Sequence, residues 1–255
     1  MQKVLQVKNA SKIYGGKTNS YTALDHVSFD VQQGEFVGIM GPSGAGKTTL
    51  LNIISTIDSP TSGEILIDGS DVVKMKEDKL AMFRRTKLGF IFQDYNLLDS
   101  LTVRENIALP LALTKVKAKE IDKRVEDIAK RFGIEHILEQ YPYQISGGQK
   151  QRCAASRAIV TNPSLIFGDE PTGALDSKSS ADLLQCLQTL NQEEQATILM
   201  VTHDANAGSY CERILFITDG KISMELKKGT QTRKEFFQRI MDVLAELGGD
   251  MSDAI

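Results

Sequence analysis

Residues 41–49 read GPSGAGKTT. They follow the apolar run EFVGIM (35–40) and precede KTTLLNIIST, so a strand, a glycine-rich turn and a helix come in that order. The pattern G-x-x-x-x-G-K-[ST] spans Gly41 to Thr48, with Pro42, Ser43, Gly44, Ala45 and Gly46 between the fixed ends. Glycines let backbone N–H groups curl around phosphate oxygens with no Cβ in the way. The helix start adds the positive end of its dipole. Lys47 supplies a point charge for β- and γ-phosphates. Thr48 offers a hydroxyl to Mg²⁺, and Thr49 stands beside it.

A second cluster completes the chemistry. LIFGDE (165–170) is an apolar strand that ends in two acids, which is an expensive ending for a buried element unless the acids act. Behind a phosphate loop, the first acid, Asp169, suits the metal and the second, Glu170, suits the attacking water. A base at Glu170 speaks against a scaffold that binds nucleotide without turning it over. His203 closes the strand TILMVTH and Gln93 follows GFIF. A lone histidine at a strand end is usually structural or solvent-exposed, but ligands collect at the C-terminal ends of parallel strands. Either His203 or Gln93 could reach a γ-phosphate from there, and Gln93 could also face the metal.

The stretch ISGGQKQR (145–152) raises a separate question. Ser146 can cap a helix starting at Gly147. Gly147 and Gly148 leave first-turn amides open, and Gln149 adds a side-chain amide, so this is a second anion site. The loop at 41–49 already surrounds its own phosphates. Two copies in head-to-tail C2 symmetry resolve the surplus, each copy closing its SGGQ on the nucleotide of the other.

The remainder of the chain must position these groups. At 255 residues it can bury a large core. Its composition is 41% hydrophobic and 25% charged with a net charge of -3, ordinary for a globular chain and giving no bulk attraction to nucleic acid. There is no tryptophan, and aromatics make up 6%, which disfavours a base-stacking surface for nucleic acid. Three cysteines, Cys153, Cys186 and Cys211, form no CxxC pair and read as reduced thiols in a cytosol. No apolar run approaches the ~18 residues of a membrane span, and the N-terminus has no signal-peptide character.

Strands are expected at 35–40, 63–69, 88–92, 165–169, 197–203 and 213–218, with continuous apolar runs suited to a parallel sheet buried on both faces. Residues 94–160 read as mainly helical. Ile121, Val125, Ile128, Ala129 and Phe132 mark an amphipathic helix ending near Gly133. The tail has apolar residues at 236, 237, 240, 241, 244 and 247, one helical face that either packs on the core or docks a partner. The expected division is one domain over 1–255. A nucleotide-binding core takes 1–93 and 161–228, a helical subdomain takes 94–160, and a C-terminal helical extension takes 229–255.

The set GPSGAGKTT, Gln93, ISGGQ, LIFGDE, GALD and TH at 202–203 resembles the ATP-binding subunit of ABC transporters, in the family's order and over nearly the full chain. The resemblance implies an α/β fold: a P-loop NTPase core with a mainly parallel sheet, an N-terminal antiparallel β portion and an inserted helical subdomain. It implies that Ser146, Gly147, Gly148 and Gln149 form the signature motif. Asp176 becomes part of the loop coupling two sites across a dimer, Gln93 the Q-loop residue and His203 the switch histidine. Tyr14, in SKIYGG, matches the aromatic that stacks on adenine; from the residues alone it is a core or surface tyrosine. Ile145 stands where leucine is usual and Gly168 where alanine is common. Neither change removes a functional group.

FIFQDYNLLDSLTVRENIALPL, DEPTGALDSKS and MVTHD resemble the branch of macrolide exporters and lipoprotein-release ATPases. Within that branch, GFIFQDYNLLD, DEPTGALDSKSS and the tail TRKEFFQRIMDVLAELGG are most similar to ATPases of bacitracin-type antimicrobial-peptide resistance. That implies ATP and Mg²⁺, a homodimer of ATPase subunits on the cytoplasmic face of the membrane, and a separate transmembrane permease gripped near Asp94 to Leu98. It also implies a sensor kinase reached through the permease, and no nucleic-acid partner. Lipoprotein release, macrolide export and cell division are alternatives within the class. A soluble ABC ATPase would usually carry two nucleotide units or a long coiled coil, and this chain has neither.

Overall fold

The computed structural model describes residues 2–16, 19–114 and 116–249, so the last six positions of the expected C-terminal extension lie outside it. Strands β1 (Lys3–Gly16) and β2 (Asn19–Gln32) pair antiparallel. Strand β3 (Phe36–Met40) leads into helix α1 (Lys47–Ile54). Strands β4 (Ser62–Ile67) and β5 (Ser70–Asp71) return to β1, giving a first sheet in the order β2-β1-β4-β5. Helix α2 (Glu77–Lys87) and strand β6 (Leu88–Phe92) follow.

Three helices come next: α3 (Val103–Leu113), α4 (Ala118–Arg131) and α5 (Gly147–Ile159). Thr102 and Glu105 form a reciprocal capping box at the start of α3, satisfying two amides that would otherwise lack partners. Helix α4 buries Val125, Ile128 and Ala129, three of the residues that gave it its periodicity. Residues 94–102, which read as part of a helical stretch, are turns and irregular chain instead. The backbone is left-handed at both Tyr95 (φ 60°) and Asn96 (φ 50°), which interrupts any helix.

The chain then re-enters the core with β7 (Leu165–Asp169), α6 (Ser177–Glu194), β8 (Ile198–Val201), α7 (Ala205–Gly208) and β9 (Arg213–Thr218). Strand β10 (Lys221–Lys227) and helix α8 (Arg233–Gly249) end the described chain. The second sheet runs β10-β9-β3-β8-β7-β6. All its pairs are parallel except β9–β10 at the edge.

The apolar runs of this sheet are continuous because both of its faces are covered. Along β8, Ile198 and Met200 face a core shared with α3, α5, α6 and α8. Leu199 and Val201 face a second core shared with α1 and the first sheet. The alternation follows from the two-residue period of a strand. Helix α8 rests on the first of these cores through Phe236, Ile240 and Val243, while Met241 is turned to solvent. The tail stripe therefore packs on its own chain for part of its width.

Candidate active site

Strand order brings the candidate residues to one edge. Ile39 of β3 pairs with Val201 of β8, Val201 with Asp169 of β7, and Asp169 with Phe92 of β6. The chain leaving each C-terminal end therefore carries, in order across the sheet, the phosphate loop, His203, Glu170 and Gln93. Two further bonds hold the exits level: the Thr202 amide donates to the Ile39 carbonyl at 3.1 Å and the Glu170 amide to the Val201 carbonyl at 2.9 Å. This is the place where open parallel sheets bind ligands.

Within residues 41–49 the backbone demands its glycines. Gly41 (φ 151°) and Gly46 (φ 102°) lie in left-handed space, and a Cβ on Gly41 would stand 2.1 Å from the Ile217 carbonyl oxygen. Gly44 (φ 79°) is left-handed too, though a Cβ there would enter open space. The Lys47 ammonium donates to the carbonyls of Gly41 and Pro42, at 2.8 Å each, and so arches across the loop. Its burial lowers its pKa, while the charge of Glu170 acts to raise it. Ala45 is buried, Ser43 and Thr48 are exposed, and Thr49 is half-buried on the first turn of α1.

The two acids differ in their surroundings. Asp169 is half-buried, and among the described residues no side chain or amide donates to it. Burial first, then the neighbouring Glu170 charge, raises its pKa. A carboxylate in that position fits a cation. The Thr48 hydroxyl and the Gln93 amide oxygen are the further oxygen donors that such an ion would call for, since a hard divalent cation takes oxygen ligands. Glu170 has a left-handed backbone (φ 45°), a strained choice for a residue with a side chain. Its Oε1 lies 2.9 Å from His203 Nδ1, which leaves Nε2 of that exposed imidazole free to turn elsewhere. Gln93 packs on Gly173, where a Cβ would come within 3.0 Å of its amide carbon.

Ser146 caps α5 as its sequence suggests. Its hydroxyl accepts from the Gln149 amide at 3.3 Å, and Gln149 Oε1 accepts from the Ser146 amide at 2.9 Å. The Gln149 carbonyl oxygen is thereby committed to the cap, and only its NH₂ group remains to meet an anion. Gly148 is buried against α6: a Cβ there would meet Ser179 Oγ at 2.6 Å. Asp176 accepts from the amides of Lys178 and Ser179 and from Ser179 Oγ, at 3.0, 2.9 and 2.7 Å. These bonds lower its pKa and make it the N-cap of α6. The phosphate loop lies against Ala23, Ile217 and Gly220, whereas Gly147 and Gly148 lie against Tyr95 and Ser179. The two candidate anion-binding starts of one chain share none of these neighbours.

Three positioning groups were not singled out from the sequence. The buried Gln151 donates through Nε2 to the Phe92 carbonyl at 3.0 Å and the Pro171 carbonyl at 2.6 Å, tying the approaches to Gln93 and Glu170 together. Arg157 donates to the carbonyls of Asn96 and Tyr95, at 2.6 and 2.9 Å, and pins the left-handed turn. The Tyr95 hydroxyl stands over Gly147, 3.0 Å from where a Cβ would be. Gln151 stands three residues after Gly148, hence on the same helical face, and that spacing was the available signal. Tyr14 is exposed, and its hydroxyl donates to Asp58 Oδ2 at 3.0 Å. Beside β6, a groove of about 400 Å³ is lined by Arg84, Phe90, Leu98, Pro110, Leu113 and Arg157.

Comparison with known proteins decides the family. The model of the ABC transporter family matches residues 24–173. The chain belongs to the ABC transporter ATP-binding family. The Bacillus subtilis ABC transporter ATP-binding protein YvcR, itself uncharacterized, is 54% identical over 252 residues, 98% of this chain and 97% of its own. The bacitracin export ATP-binding protein BceA of Halalkalibacterium halodurans is 53% identical over 250 residues, 98% and 99% of the two chains. Among solved structures, a dimeric post-hydrolysis state of the ATP-binding cassette MJ0796 bound to ADP and Pi matches with a TM-score of 0.80 at 41% identity. It covers 88% of this chain and 98% of that one; MJ0796 comes from Methanocaldococcus jannaschii. The present chain is accordingly an ABC ATPase that binds and hydrolyses ATP, with an α/β cassette fold. No helix among its described residues is long and apolar enough to cross a membrane.

Proposed function

We propose that two copies of this chain close head to tail on two molecules of ATP and drive a separate permease at the cytoplasmic face of a membrane. The permease exports or detaches an antimicrobial peptide of the bacitracin kind, or the lipid-linked cell-wall precursor that such a peptide captures. The observation that carries the enzymatic reading is the sheet edge, where the phosphate loop, His203, Glu170 and Gln93 leave adjacent strands. The peptide reading is supported by the relative named for bacitracin export, similar over almost its whole length.

In this reading the amides of 41–49 and Lys47 hold the β- and γ-phosphates, and Tyr14 stacks on the base. Asp169, Thr48 and Gln93 would hold Mg²⁺, which would supply positive charge to offset that of the phosphates. Glu170 takes a proton from water as its oxygen attacks the γ-phosphorus. The bond to the bridging oxygen then breaks, and ADP and phosphate result. The Nε2 of His203 turns to the γ-phosphate, its Nδ1 keeping the contact with Glu170. From the other copy, the Ser146–Gln149 start offers its amides to the same γ-phosphate. Asp176, held at the head of α6, lies along the dimer seam. The groove beside β6, with apolar walls and the arginines Arg84, Arg85 and Arg157, receives a cytoplasmic segment of the permease.

Glu170→Gln keeps the shape and removes the base. With Mg-ATP it should form a dimer that persists through light scattering, at twice the monomer mass. A monomer at saturating ATP, with the permease also present, would contradict the split site. The partner is tested by affinity capture from detergent-solubilised membranes of the host. One large permease with a big extracellular domain is expected, and a sensor kinase beside it would extend the assembly to signalling. A lipoprotein-release or division-type permease would overturn the peptide reading and leave the ATPase in place.

A further inference from the structure

Tyr21 has no role in the site as drawn so far. In the β1–β2 ribbon it is the direct partner of Tyr14, so the two side chains leave the same face. Their situations differ. The Tyr14 hydroxyl is bound to Asp58, and the Lys12 ammonium sits 4.8 Å from its ring centroid, so one of its faces is taken. Tyr21 is 60% exposed, and among the described residues its one side-chain hydrogen bond is a loose one, 3.5 Å from its hydroxyl to the Gly44 carbonyl. Exposure of one aromatic means little by itself. Its position means more: the ring is rooted opposite Tyr14, and its hydroxyl ends at the crest of the phosphate loop.

A nucleotide with its phosphates in that loop and its base on Tyr14 must carry its sugar across the interval between them. Tyr21 lies along this interval. We propose that Tyr21 is a second nucleoside-binding residue, packing its ring against the ribose and the adjoining edge of the base. Its hydroxyl exchanges the weak Gly44 contact for a ribose hydroxyl. The inference rests on reading residues 41–49 and Tyr14 as the nucleotide site. A tyrosine face makes no base-specific hydrogen bond, so the residue recognises a nucleoside as a class and adds affinity for purine ribonucleotides in general.

The competing role is structural: through Gly44, Tyr21 could merely brace the phosphate loop. The two roles separate when the ligand has no nucleoside. Equilibrium binding of ATP and of inorganic tripolyphosphate would be measured on the full chain carrying Glu170→Gln, with Tyr21→Ala, Tyr21→Phe, Tyr14→Ala or Lys47→Ala added. Tyr21→Ala should weaken ATP by about tenfold, in the range of one lost aromatic stacking contact, and leave tripolyphosphate within about twofold. Tyr21→Phe should keep most of the ATP affinity. Equal weakening of both ligands by Tyr21→Ala would assign the loop-bracing role instead, and an unchanged ATP affinity would remove any role; either result overturns the proposal. If Lys47→Ala and Tyr14→Ala also leave ATP binding intact, the nucleotide-site reading itself falls. Loss of ATP binding in those two variants alone would spare that reading. Melting curves verify that each variant is folded; should Tyr21→Ala be unstable, Tyr21→Ser replaces it.

Discussion

Two carboxylates stand side by side at the end of β7, and only one has a partner. Glu170 leans on His203, whereas Asp169 has no donor among the described residues and has a raised pKa through burial and the Glu170 charge. An acid whose folded pKa lies above its unfolded value opposes folding once it is ionised. That penalty is full above the folded pKa, shrinks as pH falls through it, and is gone below the unfolded value near 3.8. Asp169→Asn should therefore melt higher than the parent at pH 7 without nucleotide, and the gap should close as pH is lowered towards 4. Parallel melts of the two proteins across that range provide the check, and equal melting temperatures at pH 7 would refute it. The variant should also lose turnover if Asp169 is the anionic ligand of the proposed Mg²⁺ site. Asp169 and Glu170 were legible in the sequence, since an apolar strand ending in two acids needs an explanation. The contact that Glu170 makes and Asp169 does not was hidden, because it depends on His203 arriving from the neighbouring strand.

Among the elements, α5 and α6 meet where they begin. Gly148 is pressed on Ser179, and Ser179 is held by Asp176. Gly148→Ala should overpack this point at a cost of about 1–3 kcal/mol, and it should loosen the cap on α6. Ser179→Gly, made in the same chain, should recover part of the loss by opening the space. Denaturant titrations of the two single variants and the double variant measure the coupling, and strictly additive effects would show that the contact is not shared. The capping boxes of α3 and α5 were written locally in Thr102–Glu105 and Ser146–Gln149, but only the second was read as a helix start. Helix α2 buries no residue fully and rests on the second core only through the partly buried Leu80 and Phe83, a stripe too narrow to stand out as a periodicity. The bonds from Gln151 and Arg157 reach carbonyls about 20 or 60 positions away in the chain, and no local pattern announces such partners. Strand positions survived well because the second sheet is covered on both faces. Within the mainly helical span 94–160, residues 94–102 are irregular, and the turn at Tyr95 and Asn96 is held by Arg157 from outside the segment.

At the scale of the whole molecule, the phosphate loop and the Ser146 start belong to separate neighbourhoods of one chain, the first beside β2 and β9, the second beside Tyr95 and α6. A complete site in the proposed dimer takes its two halves from different copies. Damage to either half then behaves like a broken part that the other subunit can replace. Subunits carrying Lys47→Ala and subunits carrying Gly148→Asp should each be inactive alone. Mixed at random with the permease, about half of their dimers would pair one of each, and every such dimer would hold one doubly damaged site and one wholly intact site. ATPase activity should return to roughly a quarter of the parent level if the intact site works independently, and no return on mixing would mean that both sites must fire together. Two alleles that each leave a cell defenceless could, in the same cytoplasm, restore partial resistance.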